Sequence, residues 1–172
     1  RLFMKNYLKH LSFIFFVLFF ISCGEDNKPT NPKDNPNTIK ASVSGDISLD
    51  FDATAVSYNL EQKNGIEEIT ITGTVAGSDI EHTISIIIVK VGGKMNFSTS
   101  ENNIQFSYIY YNKKDNSSIY YRIVSNGTAS FEKLTEDLSK GTFSFEATPE
   151  NQSKKIVVSA GIIDFDKSRP IN

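Results

Sequence analysis

The sequence predicts an all-β fold, a mostly antiparallel β-sandwich or open barrel of about 8–10 strands. Three observations predict it. Apolar and polar residues alternate from residue 39 onward, which is the period of a strand with one buried face. Glycine and asparagine turn signals interrupt this alternation roughly every ten to fifteen residues. The spacing typical of an amphipathic helix is confined to one short stretch, residues 131–138.

The first strands are predicted from simple alternation. Residues 39–43, 47–53 and 69–75 each place apolar side chains at every second position. Asn64 and Gly65 lie between two such runs, and both residue types tolerate the positive φ of a tight hairpin turn. We therefore expect antiparallel neighbours joined by short connections.

Residues 84–91 break the alternation, because they are apolar at almost every position. A strand that is apolar on both sides is typical of the middle of a covered sheet. The sequence therefore predicts a central strand here, covered above and below. Exposed, the same stretch would be prone to aggregate.

The second half repeats the pattern with longer polar interruptions. Alternation over residues 104–110 is followed by a polar loop at 112–116, and it resumes over residues 119–123. Asn126 and Gly127 then predict another hairpin turn. The remaining strands are predicted at residues 128–134, 141–148 and 156–165, with a strand end and a turn over residues 131–138.

The start of the chain has the pattern of a secretory signal. Lys5 and Lys9 make a short basic segment, and the uncharged apolar run over residues 11–21 follows it. That run is shorter than the ~20 residues that cross a bilayer as a helix. The next segment is polar and rich in proline, a composition that favours disorder. The predicted organisation is a signal peptide at 1–22, a disordered tether at 23–37 and a β-sandwich domain at 38–172.

Cys23 is the single cysteine of the chain, and it follows the small residue Ser22 at the end of the apolar run. This arrangement resembles the lipobox of bacterial lipoproteins, although Phe20 and Ile21 depart from that family's usual residues. The resemblance implies a diacylglyceryl group on the Cys23 sulfur and an acyl chain such as palmitate on the new amine. We therefore expect a lipid anchor in the cell envelope, at the outer membrane. The alternative is an ordinary secretory signal with an unmodified thiol.

A second resemblance rests on the strand sequences. The opening at residues 40–45, the Gly-Thr-Phe-Ser-Phe run at 141–145 and the valine-rich strand around Gly161 are similar to Bacteroidetes lipoproteins grouped as domain of unknown function 6252. The resemblance covers about residues 39–166. That family implies a β-rich lipoprotein and transfers no catalytic residues. The acidic pair Glu25 and Asp26 also resembles the surface-export signal of such lipoproteins.

Two pairs of carboxylates are spaced as in some glycoside hydrolases. Asp50 and Asp52, and likewise Asp164 and Asp166, are predicted to lie on one face of a strand, about 7 Å apart. Solvent-facing strands give the same spacing, and we favour that interpretation. His82 is the one histidine after residue 22. Without a second histidine or a free cysteine it does not make a zinc site, so no metal or cofactor is expected.

Tyrosines are concentrated in the two strands on either side of the loop at 112–116. Tyr108, Tyr110 and Tyr121 are predicted to face the core. Tyr111 and Tyr120 would then point the other way, next to Arg122, and form an exposed aromatic platform for binding. The alternative is a ladder of cross-strand aromatic pairs that only stabilises the sheet.

The chain has a net charge of −2, which argues against nucleic acid as a partner. We expect a membrane-anchored, non-catalytic envelope lipoprotein whose β domain binds a ligand or a partner, such as a glycan or an envelope protein. Two alternatives remain. One is a small envelope glycan hydrolase that uses the paired aspartates, and the other is a structural accessory subunit of an outer-membrane complex.

Overall fold

The computed structural model describes residues 37–150 and 153–169, without the side chain of Lys63. The predicted signal peptide, Cys23 and the tether up to residue 36 lie outside the described residues. The first described strand begins at Thr38, where the β domain was predicted to begin.

Ten β-strands make up about three quarters of the described chain. Their order and bounds are β1 (Thr38–Gly45), β2 (Leu49–Ala53), β3 (Ala55–Lys63), β4 (Ile66–Ala76), β5 (Ile80–Lys90), β6 (Asn96–Ser98), β7 (Ile104–Asn112), β8 (Ser117–Leu134), β9 (Leu138–Pro149) and β10 (Ile156–Asp166). One 3₁₀ turn, Thr99–Glu101, follows β6. The prediction of an all-β domain is therefore confirmed.

The strands form one continuous antiparallel sheet. Nine of them follow the order β2-β1-β10-β9-β8-β7-β5-β4-β3, and β6 pairs separately with β8. The sheet curls, so that the two ends of this path approach each other. Tyr58 of β3 stacks on Phe165 of β10 with ring centroids 4.9 Å apart. Of the two predicted architectures, the chain adopts the open barrel rather than two separate sheets.

The inward face of the curled sheet holds the core. Because successive side chains of a strand point to opposite faces, every second residue enters it. Ile84, Ile86 and Ile88 of β5 are completely buried. Phe106 of β7 stacks on Phe145 of β9 at 4.9 Å. Contacts of this kind between strands far apart in sequence stabilise the curl.

The prediction that residues 84–91 are covered on both faces is wrong for the outward face. Ile87 and Val89 are only half-buried there. A curled single sheet has no second layer outside it, so flanking side chains and the segment after β6 provide the cover. The Val89 N–H donates to the Asn103 carbonyl at 2.9 Å, which extends the β5–β7 pairing one residue beyond the Ile88–Ile104 pair and fixes the end of that segment at the side of β5.

The hairpin predicted at Asn126 and Gly127 is also wrong, because both residues lie within the long strand β8. Gly127 is required there for space. A Cβ atom at this position would lie 2.8 Å from the ring of Phe106 and 2.8 Å from the methyl group of Thr99. The turn at Asn64 and Gly65 is confirmed, with φ of 53° and 79°.

Candidate functional site

The site begins where β7 and β8 separate. The two strands pair from Tyr108 opposite Tyr121 to Asn112 opposite Ser117. Before Tyr108, β7 continues to pair with β5 alone, and after Tyr121, β8 continues to pair with β9 on its other side. The strands therefore leave a wedge between residues 104–107 of β7 and residues 122–127 of β8.

A short segment closes the wide end of this wedge. β6 pairs with β8 from Asn96 opposite Ser130 to Ser98 opposite Thr128. The chain then makes the 3₁₀ turn, and the Thr99 hydroxyl accepts a hydrogen bond from the Gly127 N–H at 3.1 Å. The wedge is thus bounded by the Tyr108–Tyr121 pair at one end and by the 3₁₀ turn at the other.

The wedge opens outward as a cleft of about 460 Å³, which we call the β7–β8 cleft. This volume lies within the range of small-ligand sites. Its walls combine neutral polar groups with a few apolar ones. The polar side chains are Ser85, Thr99, Asn102, Gln105 and Ser107, with Arg122 at the edge; the apolar ones are Ile87 on the outward face and, deeper in the cleft, the core-packed Ile104, Phe106 and Val124.

Arg122 lines the edge of the cleft, and Tyr120 lies beside it on the outward face. They point outward on either side of Tyr121, which is buried. The Arg122 guanidinium carbon lies 4.4 Å from the centre of the Tyr120 ring. Such cation–π contacts hold a guanidinium in one orientation while leaving its donors available. The arrangement presents an oriented positive charge beside a polar cavity.

Arg122 differs from most other cationic side chains of the described part. Nine of these, eight lysines and Arg169, form ion pairs within 4.0 Å. Among the described residues, no carboxylate forms such a pair with Arg122. The residues that line the cleft also include no acidic side chain. The local charge is therefore positive, although the chain as a whole is acidic.

Tyr111 shares the outward face but lies one row away from this pair. It is opposite Ser118, whereas Tyr120 is opposite Ile109. The Tyr111 hydroxyl donates to the Asn116 side-chain oxygen at 2.8 Å, which fixes it to the β7–β8 turn. The structure therefore brings together two members of the predicted platform and places the third beside them.

The prediction for the inward tyrosines is also reproduced. Tyr108 and Tyr121 are buried and pack edge to face, with ring centroids 5.8 Å apart. Tyr110 is half-buried against the same core. Burial raises the pKa of both Tyr108 and Tyr121, so they remain neutral.

Sequence reasoning missed the cleft itself. Ser85 and Ser107 are opposite each other on β5 and β7, and Gln105 is opposite Ile87. The 3₁₀ turn adds Thr99 and Asn102 from a segment with no recognisable motif. Only the separation of β7 and β8 brings these residues together, and the hydrophobic periodicity of the sequence does not predict that separation.

The paired aspartates are on exposed parts of the sheet. Asp50 and Asp52 share the outward face of edge strand β2, and Asp52 forms an ion pair with Lys40 at 2.7 Å. Asp164 forms an ion pair with Arg169 at 2.9 Å. Asp166 accepts hydrogen bonds from the backbone and hydroxyl groups of Ser168. These contacts are those of solvated, structural carboxylates.

His82 lies on the inward face of β5 near one end of the core. Its Nδ1 atom is 2.6 Å from the Tyr108 hydroxyl, and its ring packs edge-on against Tyr110. Burial lowers the pKa of His82, which favours the neutral imidazole. The contacts indicate a histidine that completes the core.

Within residues 37–150 and 153–169, no group of three or more histidine, cysteine, aspartate or glutamate side chains is placed to hold a metal ion. Helices long and apolar enough to cross a membrane are likewise missing from the described part. Comparisons with family models, with curated proteins and with solved structures found no match for this chain.

Proposed function

We propose that this protein is a lipid-anchored, non-catalytic binding protein of the cell envelope, and that the β7–β8 cleft is its binding site. The observation that carries the proposal is the unpaired Arg122 stacked on Tyr120 at the edge of the cleft. An oriented cation next to neutral hydrogen-bonding groups and a few apolar side chains is typical of recognition sites. The surrounding geometry favours binding over chemistry, because these side chains include no nucleophile–base pair.

The anchor in this proposal is the lipidated Cys23, followed by the tether. One acyl chain binds a membrane only marginally, whereas two or more bind stably. A diacylglyceryl cysteine would therefore hold the protein without help from the β domain. The outer membrane is the proposed location.

The position of Asn37 and Thr38, where the described chain begins, supports this arrangement. The Asn37 side chain accepts a hydrogen bond from the Asp166 N–H, and Thr38 is opposite Asp164. The register continues across β10 and β9 to Lys133 of β8. Arg122 lies on β8 between the partners of Thr148 and Pro149, eight to nine residues along β9 from Lys140, or roughly 30 Å at ~3.3 Å per residue. The first strand of the described chain thus begins far along the sheet from the cleft.

A retention experiment tests the binding site. Wild-type protein and a Tyr120→Ala/Arg122→Ala variant are immobilised and exposed to solubilised envelope extract, with Lys133→Ala as a matched surface control. We expect the double variant to lose retained material that wild type and Lys133→Ala both keep. Equal retention by all three proteins would contradict the site. Retention of one protein partner at fixed stoichiometry, insensitive to the double substitution, would instead favour the accessory-subunit alternative.

A labelling experiment tests the anchor separately. Cells that express the full chain are fed an alkyne analogue of palmitate, with Cys23→Ala as the control. We expect label on the wild type, membrane fractionation, and loss of both in the variant. An unlabelled, freely secreted wild-type protein would refute the anchor and leave the cleft proposal standing.

A further inference from the structure

We infer that the β7–β8 cleft binds the terminal unit of an acidic saccharide, with the sugar carboxylate on Arg122 and the sugar hydroxyls on the neutral polar wall. This inference rests on the proposed binding function and adds the chemical class of the ligand. Three features of the cleft support it: its charge, the chemistry of its wall and its closed ends.

The charge of the cleft favours an anionic group. Arg122 has five N–H donors in a planar fork that matches the two oxygens of a carboxylate. Its guanidinium is stacked on Tyr120 and forms no ion pair with a described carboxylate. No acidic side chain lines the cleft to compete with an anionic ligand. A ligand carboxylate would therefore contact an oriented guanidinium whose positive charge is not neutralised by a described carboxylate.

The wall of the cleft favours a polyhydroxylated ligand. Gln105 and Asn102 carry both donors and acceptors, and Ser107 can donate and accept through its hydroxyl. Sugar hydroxyls have the same dual capacity, so each can be matched. Ile87 and Val124 supply apolar surface for the C–H groups of a sugar ring. A purely apolar ligand would leave most of this wall unpaired, which is costly.

The separating strands add backbone groups to the wall. In an antiparallel sheet, the N–H and C=O groups of alternate residues point to the same side of the strand. Residues 104–107 of β7 and 122–127 of β8 have no strand partner on the side that faces the cleft, apart from the contact of Gly127 with Thr99. These groups increase the number of donors and acceptors available to a ligand.

The closed ends favour a terminal unit. The Tyr108–Tyr121 pair closes the apex, and the 3₁₀ turn closes the opposite end. A chain that continued in both directions would meet one of these barriers. The volume of about 460 Å³ suits a small ligand rather than an extended polymer. An extended peptide pairing with the open strand edges is the competing occupant, and the wedge is too short to pair with more than a few of its residues.

The test uses two sugars that differ only in the acidic group. Methyl β-D-glucuronide and methyl β-D-glucoside are titrated into ¹⁵N-labelled protein spanning residues 23–172, and amide shifts are followed by NMR. We expect the glucuronide to perturb residues 85, 105, 107 and 122 and to bind about ten- to a hundredfold more tightly than the glucoside, which corresponds to one charge-assisted hydrogen-bonded contact. A trisaccharide with the glucuronate at its non-reducing end should bind at least as well, and one with the glucuronate as its middle unit should not bind.

Substitutions identify the contact. Arg122→Gln should bring the affinity for the glucuronide down to that for the glucoside, and Arg122→Lys should recover only part of the loss because it keeps the charge without the fork. Lys133→Gln makes the same change in charge elsewhere on β8 and should have no effect. Thermal melts of each variant confirm that it is folded, as expected at an exposed position.

Each other outcome counts against the inference. Equal binding of both sugars, a preference that survives Arg122→Gln, or shifts confined to residues outside the cleft would overturn it. Binding of short acidic peptides but of neither sugar would overturn the saccharide class. In any of these cases, loss of envelope retention in the Tyr120→Ala/Arg122→Ala variant would still support the cleft as a binding site. Unchanged retention would show that the proposed function had failed as well.

Discussion

Tyr120 and Tyr121 are neighbours in β8, and they have opposite surroundings. Tyr121 is 1% exposed and packs edge to face on Tyr108, whereas Tyr120 is 43% exposed and lies under Arg122. Both residues belong to the same strand. Only the face of the sheet differs, so the same residue type serves the core at one position and the edge of a cleft at the next.

This contrast shows that register, rather than residue type, decides the role of each aromatic side chain. A shift of one residue in the pairing of β7 with β8 would exchange the two faces. With β7 held by β5, it would turn β8 over, expose Tyr121 and bury Arg122 without a counter-charge. The free-energy cost of exposing an aromatic ring and of burying an unpaired charge stabilises the observed register. The binding surface depends on that register.

The largest difference between the two faces is expected when the Tyr121 ring and the Tyr120 ring are each removed. We expect Tyr121→Ala to lower the free energy of unfolding by about 3–5 kcal/mol, as for other large aromatic side chains deleted from a core. Tyr120→Ala should cost no more than about 1 kcal/mol, the value of an exposed cation–π contact. Urea unfolding of both variants measures the difference. Similar losses in the two variants would mean that the inward and outward faces are not distinguished as described.

A second contrast between an outward-facing residue and its inward-facing neighbour is found in the irregular part of β10. Here the difference lies in the backbone conformation and the space available, not in aromatic rings. Ala160 points outward and has a φ of 50°, while the adjacent Gly161 is buried. A Cβ at Gly161 would lie 2.5 Å from the Phe143 carbonyl oxygen and 2.6 Å from its ring. The glycine is therefore needed for space, and the alanine carries the left-handed conformation.

This arrangement predicts opposite effects for exchanged residues. Gly161→Ala should destabilise the protein by about 1–3 kcal/mol or more, because the β9 backbone must move. Ala160→Gly should leave stability unchanged or raise it by up to about 1 kcal/mol, since it relieves the positive φ. Midpoints of thermal unfolding measure both. A stabilising Gly161→Ala would show that Phe143 does not pack over this position.

Alternation made most of the fold predictable. The inward isoleucines of β5 and the inward tyrosines of β7 and β8 follow directly from a period of two. The outward side of β5 was mispredicted because Ile87 and Val89 look like core residues in sequence, yet they lie on the outer surface of a single curled sheet. Composition alone does not reveal how many layers a fold has.

The candidate site was only half predictable for a related reason. Tyr120 and Arg122 are two residues apart on one strand, so alternation places them together. The rest of the cleft depends on where β7 and β8 stop pairing and on Gly127, which sequence reasoning assigns to a hairpin. Its actual role is to admit Phe106 and Thr99, a tertiary contact that no local pattern records.

The smallest expected effect is on the pH dependence of stability. It concerns the end of the inward face, where His82 contacts Tyr108. The Tyr108 hydroxyl can donate to Nδ1 only while that nitrogen carries no proton, and the two atoms are 2.6 Å apart. Burial lowers the pKa of His82 in the folded protein, so the unfolded chain, with a pKa of about 6.5, binds the proton more readily. The contribution of the neutral histidine to stability is thus complete above pH ~6.5 and is lost as the pH falls below it.

We therefore expect the free energy of unfolding of the wild type to decrease from pH 7 to pH 5, and that of His82→Gln to remain nearly flat over the same range. The slope should be shallower than the roughly 1.4 kcal/mol per pH unit that one proton sets as the limit, because His82 is only partly buried. Restricting the range to pH 5 and above keeps the carboxylates largely out of the comparison. Their pKa values in the unfolded chain are near 4, and the ion pairs of Glu67, Glu101 and Glu146 lower those of the folded protein further. Parallel curves for the two proteins would mean that His82 binds its proton equally well in both states, and that the end of the inward face is open to water as the outward face is.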